Sequence, residues 1–168
     1  MNKKPINLFI IGHCCSGKST ILKELGNATP FEIIDMDDNP PPTIGREHWR
    51  QYRVEEIMHY AYSRNIELDK RPIIIGGWFW PSEIIASPYF SSCFNTKVFL
   101  LHTDHDCFIK RMNNRENNLD HSNIFSEFPS LCSRLIDQTN SIRNSTILNT
   151  THKSIDQVTR QIKKSLAE

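Results

Sequence analysis

The sequence is poor in the features that would commit it early to a metal, a membrane or a nucleic acid. Its five cysteines form no Cys-x-x-Cys pair, and an odd count at irregular spacing supports neither a zinc site nor a disulfide framework. Reduced thiols in a cytoplasmic protein are the plain expectation. The seven histidines are scattered, and none sits in a His-Glu-x-x-His frame, so structural or solvent-facing roles are the default. No apolar run approaches the roughly 20 residues that a membrane helix needs. The net charge is +1, too little for the basic face that duplex nucleic-acid binders carry, although a local basic pocket stays open. The basic opening Met1-Asn2-Lys3-Lys4-Pro5 is followed by an apolar stretch that ends in a glycine loop without a cleavage site. It reads as a tail before a strand.

What is present suits one globular domain spanning residues 1–168. The length allows a real core, and 38% hydrophobic with 23% charged residues is a soluble composition. Ile6 to Ile11 is a nearly continuous apolar run, as expected of a strand buried on both faces. Lys18 to Leu25 follows as a helix stopping near Gly26. Phe31 to Ile34 reads as a second strand, closed by Asp35-Met36-Asp37-Asp38 and then by three prolines. Gly45 to Asn65 reads as a long helix with Trp49, Tyr52, Ile57, Tyr60 and Ala61 as its apolar groups. Pro72 to Ile75, Lys97 to Leu101 and Thr146 to Leu148 read as three further strands. Asp104 to Arg115 has helical spacing that fades into an asparagine-rich stretch, expected to be a mobile loop. Ser154-x-x-Gln157 is a capping box, and Ile155, Val158, Ile162 and Leu166 then share one helix face. Strands alternating with helices imply α/β architecture: a three-layer sandwich around a five-stranded parallel sheet.

The loop after the first strand carries the chemistry. Gly12-His13-Cys14-Cys15-Ser16-Gly17-Lys18-Ser19-Thr20 fits G-x-x-x-x-G-K-[ST], and it stands between a predicted strand and a predicted helix, the context this motif requires. Its glycines let the chain wrap with amides turned inward, so that residues 12–20 cradle phosphate oxygens. The helix start favours anions. Lys18 is expected to reach the β- and γ-phosphates, and Ser19 to ligate magnesium. The implied ligands are ATP and Mg2+. Cys14 and Cys15 sit beside a helix N-terminus and Lys18, surroundings that stabilise thiolate, and at least one is expected to be reactive.

The acceptor side is less explicit. A guanine-reading Asn-Lys-x-Asp is missing after the late strands, and the third strand ends in Gly-Gly where a motor ATPase would carry adjacent acids. Several strings resemble instead the shikimate kinase and gluconate kinase branch of the P-loop small-molecule kinases. Ile34-Asp35-Met36-Asp37 looks like that branch's Asp-x-Asp, Tyr52-Arg53-Val54-Glu55-Glu56 like its aromatic-Arg-x-x-Glu, and Gly76-Gly77 like part of its glycine run. Arg115 and Arg134 resemble its lid arginine and a later substrate-binding arginine. The resemblance implies a P-loop fold of the nucleoside monophosphate kinase type, with a small lid at about 111–127.

It also implies roles. Asp35 would serve the magnesium shell, and Asp37 would orient the acceptor hydroxyl and take its proton. Arg53 and Arg134 would grip an anionic acceptor, and Gly76 and Gly77 would allow it close to the backbone. Arg111 and Arg115 would close on the phosphates. The implied partner is a small-molecule phosphate acceptor. Trp78-Phe79-Trp80-Pro81 departs from the branch: the third glycine of the run is Trp78, and the branch's Arg-Pro-Leu-Leu string is missing from the lid. If these aromatics line the pocket, a nucleoside or nucleotide acceptor becomes the alternative. A non-catalytic nucleotide-binding switch or partner-binding module also remains open.

Overall fold

The computed structural model describes residues 6–38, 46–66, 72–90, 95–114 and 122–167. The elements are β1 (Ile6–Gly12), α1 (Lys18–Ala28), β2 (Glu32–Asp35), a 3-10 turn (Met36–Asp38), α2 (Arg46–Ile66), β3 (Ile73–Gly77), α3 (Pro81–Ala86), β4 (Asn95–His102), α4 (His105–Asn113), α5 (Ser122–Asn140), β5 (Ser145–Asn149) and α6 (Ile155–Ala167). The five strands form one sheet in the order β2-β3-β1-β4-β5, and every pair is parallel. The expected α/β sandwich is therefore the observed one.

Both faces of the sheet are covered, which is why β1 and β3 are apolar almost without interruption. Phe9, Ile11, Ile73, Ile75, Val98 and Leu100 pack on one side with Val54, Ile57 and Met58 of α2, Ile84 of α3 and Leu135 of α5. Leu8, Ile10, Ile74, Phe99 and Leu101 pack on the other with Ile21, Leu22 and Leu25 of α1 and Val158 and Ile162 of α6. The sequence β3-to-β4 step crosses over β1. The carboxyl end of β1 thus lies at the switch point where open α/β sheets bind ligands.

Several expectations change in detail. The buried side of α2 is Val54, Ile57, Met58 and Ala61, whereas Tyr52 is 77% exposed and Tyr60 40%; the two tyrosines fall on the opposite side of a helix whose inner face is narrow. Helices α3 and α5 were not anticipated. Pro129 lies inside α5, and a residue with no amide to donate masks helical spacing in a sequence. The capping box of α6 is formed: the Ser154 amide donates to Gln157 Oε1 at 2.8 Å, and the Gln157 amide to Ser154 Oγ at 3.2 Å. Of the lid expected at about 111–127, residues 111–114 end α4 and 122–127 begin α5. The stretch between them, Arg115 included, lies outside the described residues.

Gly76 and Gly77 serve packing within the protein. A Cβ at Gly76 would stand 2.1 Å from Leu22 Cδ1, and one at Gly77 would stand 2.5 Å from Met36 Cβ. Leu22 of α1 occupies the place of a side chain on Gly76, and Met36 of the 3-10 turn that on Gly77. Gly76→Ala should therefore act as an overpacking mutation costing about 1–3 kcal/mol, lowering Tm by about 2–4 °C per kcal/mol in a chain of this size. In a double-mutant cycle, adding Leu22→Ala should recover part of that loss. Strictly additive losses in thermal denaturation would contradict the packing role.

Candidate active site

The loop between β1 and α1 is built so that its carbonyls are satisfied by side chains. Gly12 has φ +154°, with no room for a Cβ because Leu101 O would lie 2.4 Å away, and Gly17 has φ +98°. Only glycine adopts such angles without strain. Between them, Lys18 Nζ donates to His13 O at 2.8 Å and His13 Nδ1 donates to Cys14 O at 2.6 Å. Arg111 donates to Cys15 O at 3.1 Å, and the Thr150 hydroxyl shares its one hydrogen between Ser16 O at 3.2 Å and His102 O at 3.0 Å. Four consecutive carbonyls are thus tied down from α1, the loop itself, α4 and the β5–α6 turn. Ser16 Oγ is buried with no hydrogen-bond partner, and nothing stands within 4 Å of where a Cβ on Gly17 would be. Ser16 Oγ lies against Gly12, and it is the open space beside Gly17 that fits a phosphate group with its metal ion.

His13 is sealed in the loop. Its Nε2 accepts from the Thr103 amide at 3.3 Å while Nδ1 donates, so the ring is neutral. Burial holds its pKa down to about 4, against the bond to Cys14, with Lys18, His102 and Arg111 adding in the same direction as burial. The two loop cysteines differ. Cys15 takes φ 60° and points its thiol into an apolar cluster with Phe108, Met112, Phe128 and Cys132, donating to Met112 Sδ at 3.0 Å. The reactivity expected of this pair does not extend to a thiol so placed. Cys14 is half-buried.

Two cavities flank the loop. One of about 300 Å³ is lined by Ser16, Gly17 and Thr20, by Arg111, and by Thr150, Lys153 and Ile155. The other, about 160 Å³, is lined by Cys14, Cys15, Gly17, Lys18, Ser19, Thr20, Asp37 and Trp78. Lys18, Ser19 and Asp37 are thereby brought to one cleft. Asp37 lies in the 3-10 turn and not in β2, so the two acids do not share one strand face. Instead Asp35 Oδ1 accepts from the Asp37 amide at 3.0 Å, which holds the turn. Partial burial pushes the Asp35 carboxyl above its ordinary pKa, relieved by that amide and raised further by Asp37 and Asp38, while Lys18 pulls the other way. Asp35 is within the field of Lys18 but does not line the cleft.

Trp78 is held there by a residue the sequence reading missed. Arg50 of α2 donates to Trp78 O at 2.5 Å, forks onto Glu83 through Nε and Nη2 at 2.7 and 2.8 Å, and lies 5.8 Å from the Trp78 ring centre. Glu83 also accepts from the Trp80 amide at 2.7 Å. Of the arginines singled out for an acceptor, Arg53 pairs with Glu56 at 2.6 Å and Arg134 lies over the Trp80 ring at 4.4 Å. Neither lines the cleft. Arg50 and Thr150 stand in no sequence motif, and their partners lie in separate elements.

No family model matches this sequence, and no curated protein matches it. Solved structures do. The thymidylate kinase of Candida albicans superposes with TM-score 0.69 at 16% identity over 99% of this chain and 93% of its own. The shikimate kinase of Bacteroides thetaiotaomicron gives 0.67 at 12% over 97% and 99%. The gluconokinase of Sinorhizobium meliloti 1021 gives 0.59 at 14% over 99% and 94%. The chain has the fold of the P-loop kinases, the group that includes the shikimate and gluconate branch.

Arg111 joins the loop to the β5–α6 turn, donating also to Thr150 O at 3.0 Å. Arg111→Met should strip the donor from two carbonyls, costing about 1–3 kcal/mol for each that stays buried, and should weaken nucleotide binding. Arg111→Lys should recover only part, since a point charge cannot span both carbonyls. Thermal melts and nucleotide titration check this; unchanged values in Arg111→Met would refute the tie.

Proposed function

We propose that this protein is an ATP-dependent kinase that transfers the γ-phosphate to a hydroxyl or phosphate group of a small metabolite. The observation that carries the reading is the side-chain hold on loop carbonyls 13 to 16. With its carbonyls engaged elsewhere, the loop is pre-shaped to turn amides toward phosphate oxygens, and electrostatic preorganisation is the main resource of phosphoryl transfer. Gly12 to Thr20 bind the triphosphate in this reading. The 300 Å³ cavity beside Arg111 takes the nucleoside half of ATP, and the 160 Å³ cleft takes the acceptor. Ser19 and Asp35 are the residues that would hold Mg2+, which when bound neutralises phosphate charge.

The chain's own groups then divide the work. Lys18 turns from the His13 carbonyl to the transferring phosphate, leaving that carbonyl to the Ser16 amide at 3.4 Å. Asp37, exposed on its turn and facing the same cleft, orients the acceptor and takes its proton. Arg115 is proposed for phosphate closure with Arg111, and Arg53 and Arg134 for acceptor anions, on the resemblance alone. For the last two, reaching the cleft requires giving up the contacts with Glu56 and the Trp80 ring.

Trp78 supports a second reading of the acceptor. An aromatic face in the cleft, braced from behind by Arg50, suits a planar acceptor such as a nucleoside or nucleotide better than a sugar acid. A coupled ADP-release screen over sugar acids, shikimate, nucleosides and nucleotides separates the two. Stoichiometric ATP binding with no acceptor-stimulated release would instead favour a non-catalytic switch.

Lys18→Ala should lower turnover by orders of magnitude with the fold intact, and near-normal turnover in a folded variant would exclude this mechanism. Asp37→Asn should lower acceptor-dependent turnover about 10²–10⁴-fold while ATP affinity stays within a few-fold. Loss of ATP·Mg binding with turnover spared would reverse the roles of Asp35 and Asp37. Trp78→Ala should raise KM for a ring-bearing acceptor and leave KM for ATP unchanged; equal effects on both would remove the stacking role.

A further inference from the structure

A cluster of metal-ligating side chains meets at the phosphate loop, and the kinase reading uses only one of them, His13, through Nδ1. His13, His102 and Cys132 come from three separate parts of the chain, yet their donor atoms all lie within 4.8 Å of one another. The sheet explains the first two. Gly12 is level with Leu101 in the parallel β1–β4 pair, so the residues that follow, His13 and His102, emerge side by side, their ring centres 6.0 Å apart and nearly perpendicular. Helix α5 brings Cys132 up from the other direction, inside the cluster that contains Phe108 and Phe128. His13 and Cys132 are buried and His102 is half-buried.

We propose that His13, His102 and Cys132 form a binding site for a borderline-soft divalent cation, Zn2+ in particular, that tethers the phosphate loop to β4 and α5. The donor set is two imidazoles and one thiol, which suits Zn2+ and disfavours Mg2+ and Ca2+, ions that prefer oxygen. Tetrahedral Zn2+ with bonds of about 2.0–2.3 Å needs donors roughly 3.3–3.8 Å apart. Closing from the present spread is a matter of side-chain rotation by about an ångström. His13 is already oriented as a ligand ordinarily is: Nδ1 donates to a backbone carbonyl, fixing the tautomer and leaving the lone pair on Nε2. Among the described residues that lone pair meets the Thr103 amide at 3.3 Å, a long bond that the ion would replace. The site is distinct from the magnesium position at Ser19 and Asp35, and it stands whether or not the loop serves a kinase.

Binding of Co2+ to the full chain, stripped of metal with a chelator, tests this without reference to activity. One equivalent of Co2+ should develop the visible bands of a tetrahedral ion and a near-ultraviolet thiolate-to-metal band. Zn2+ should bleach both, and millimolar Mg2+ should leave them unchanged. Cys132→Ser should abolish the near-ultraviolet band, and His102→Gln should weaken Co2+ binding at least tenfold. His102 is half-buried at a strand end, so His102→Gln carries the test even if Cys132→Ser does not fold. No saturable band at one equivalent would overturn the proposal and leave the three side chains as packing around the loop. Equal affinity and spectrum in wild type and a folded His102→Gln would also overturn it, assigning the ion to a site without His102.

Discussion

A loop that must show its amides to a ligand has to hide its carbonyls, and this structure depends on that requirement. Turning residues 13 to 16 around Gly12 and Gly17 points four carbonyls into the protein, where each unsatisfied one would cost about 1–3 kcal/mol. The fold answers with four donors: Lys18, the His13 ring, Arg111 and Thr150. Because the donors come from α1, α4 and the β5–α6 turn, the loop cannot take its shape until those elements have docked on the sheet. The ligand-binding conformation is thus a product of the whole domain.

The same arrangement divides the surface into two sides. Arg111 and Thr150, which hold the loop, also wall the larger cavity. Across the loop, the 3-10 turn and the start of the β3–α3 connection bring Asp37 and Trp78 to the smaller cleft. In the proposed kinase reading the two cavities serve as donor and acceptor pockets on either side of one loop, since the reacting atoms must meet while water is kept out. In that reading Trp78, with Arg50 beside its ring, makes the acceptor side the more distinctive of the two.

Arginines show how far local sequence can mislead. Arg53 and Arg134 stand in strings that look like anion-binding motifs, yet one pairs with Glu56 a helical turn away and the other covers a tryptophan. Arg50, in no motif, reaches Glu83 and the backbone of Trp78, more than 25 residues away. A guanidinium is long enough to choose among several partners, and the choice is made by what the neighbouring elements bring within reach.

The sequence alone determined the strand-and-helix alternation, the parallel sheet and the phosphate loop, because these rest on local properties. Runs such as Ile73-Ile74-Ile75 are buried wherever they pair, Gly12 and Gly17 allow backbone angles denied to other residues, and the Ser154–Gln157 cap is completed within one turn. It could not reveal α5, whose internal Pro129 hides the helical spacing. Nor could it show that Gly76 and Gly77 make room for Leu22 and Met36, or that Cys15 faces Met112. Tertiary structure decided the walls of both cavities and the meeting of His13, His102 and Cys132. These contacts span up to about 130 residues of chain, and only the packing of separate elements around one sheet sets which side chains meet.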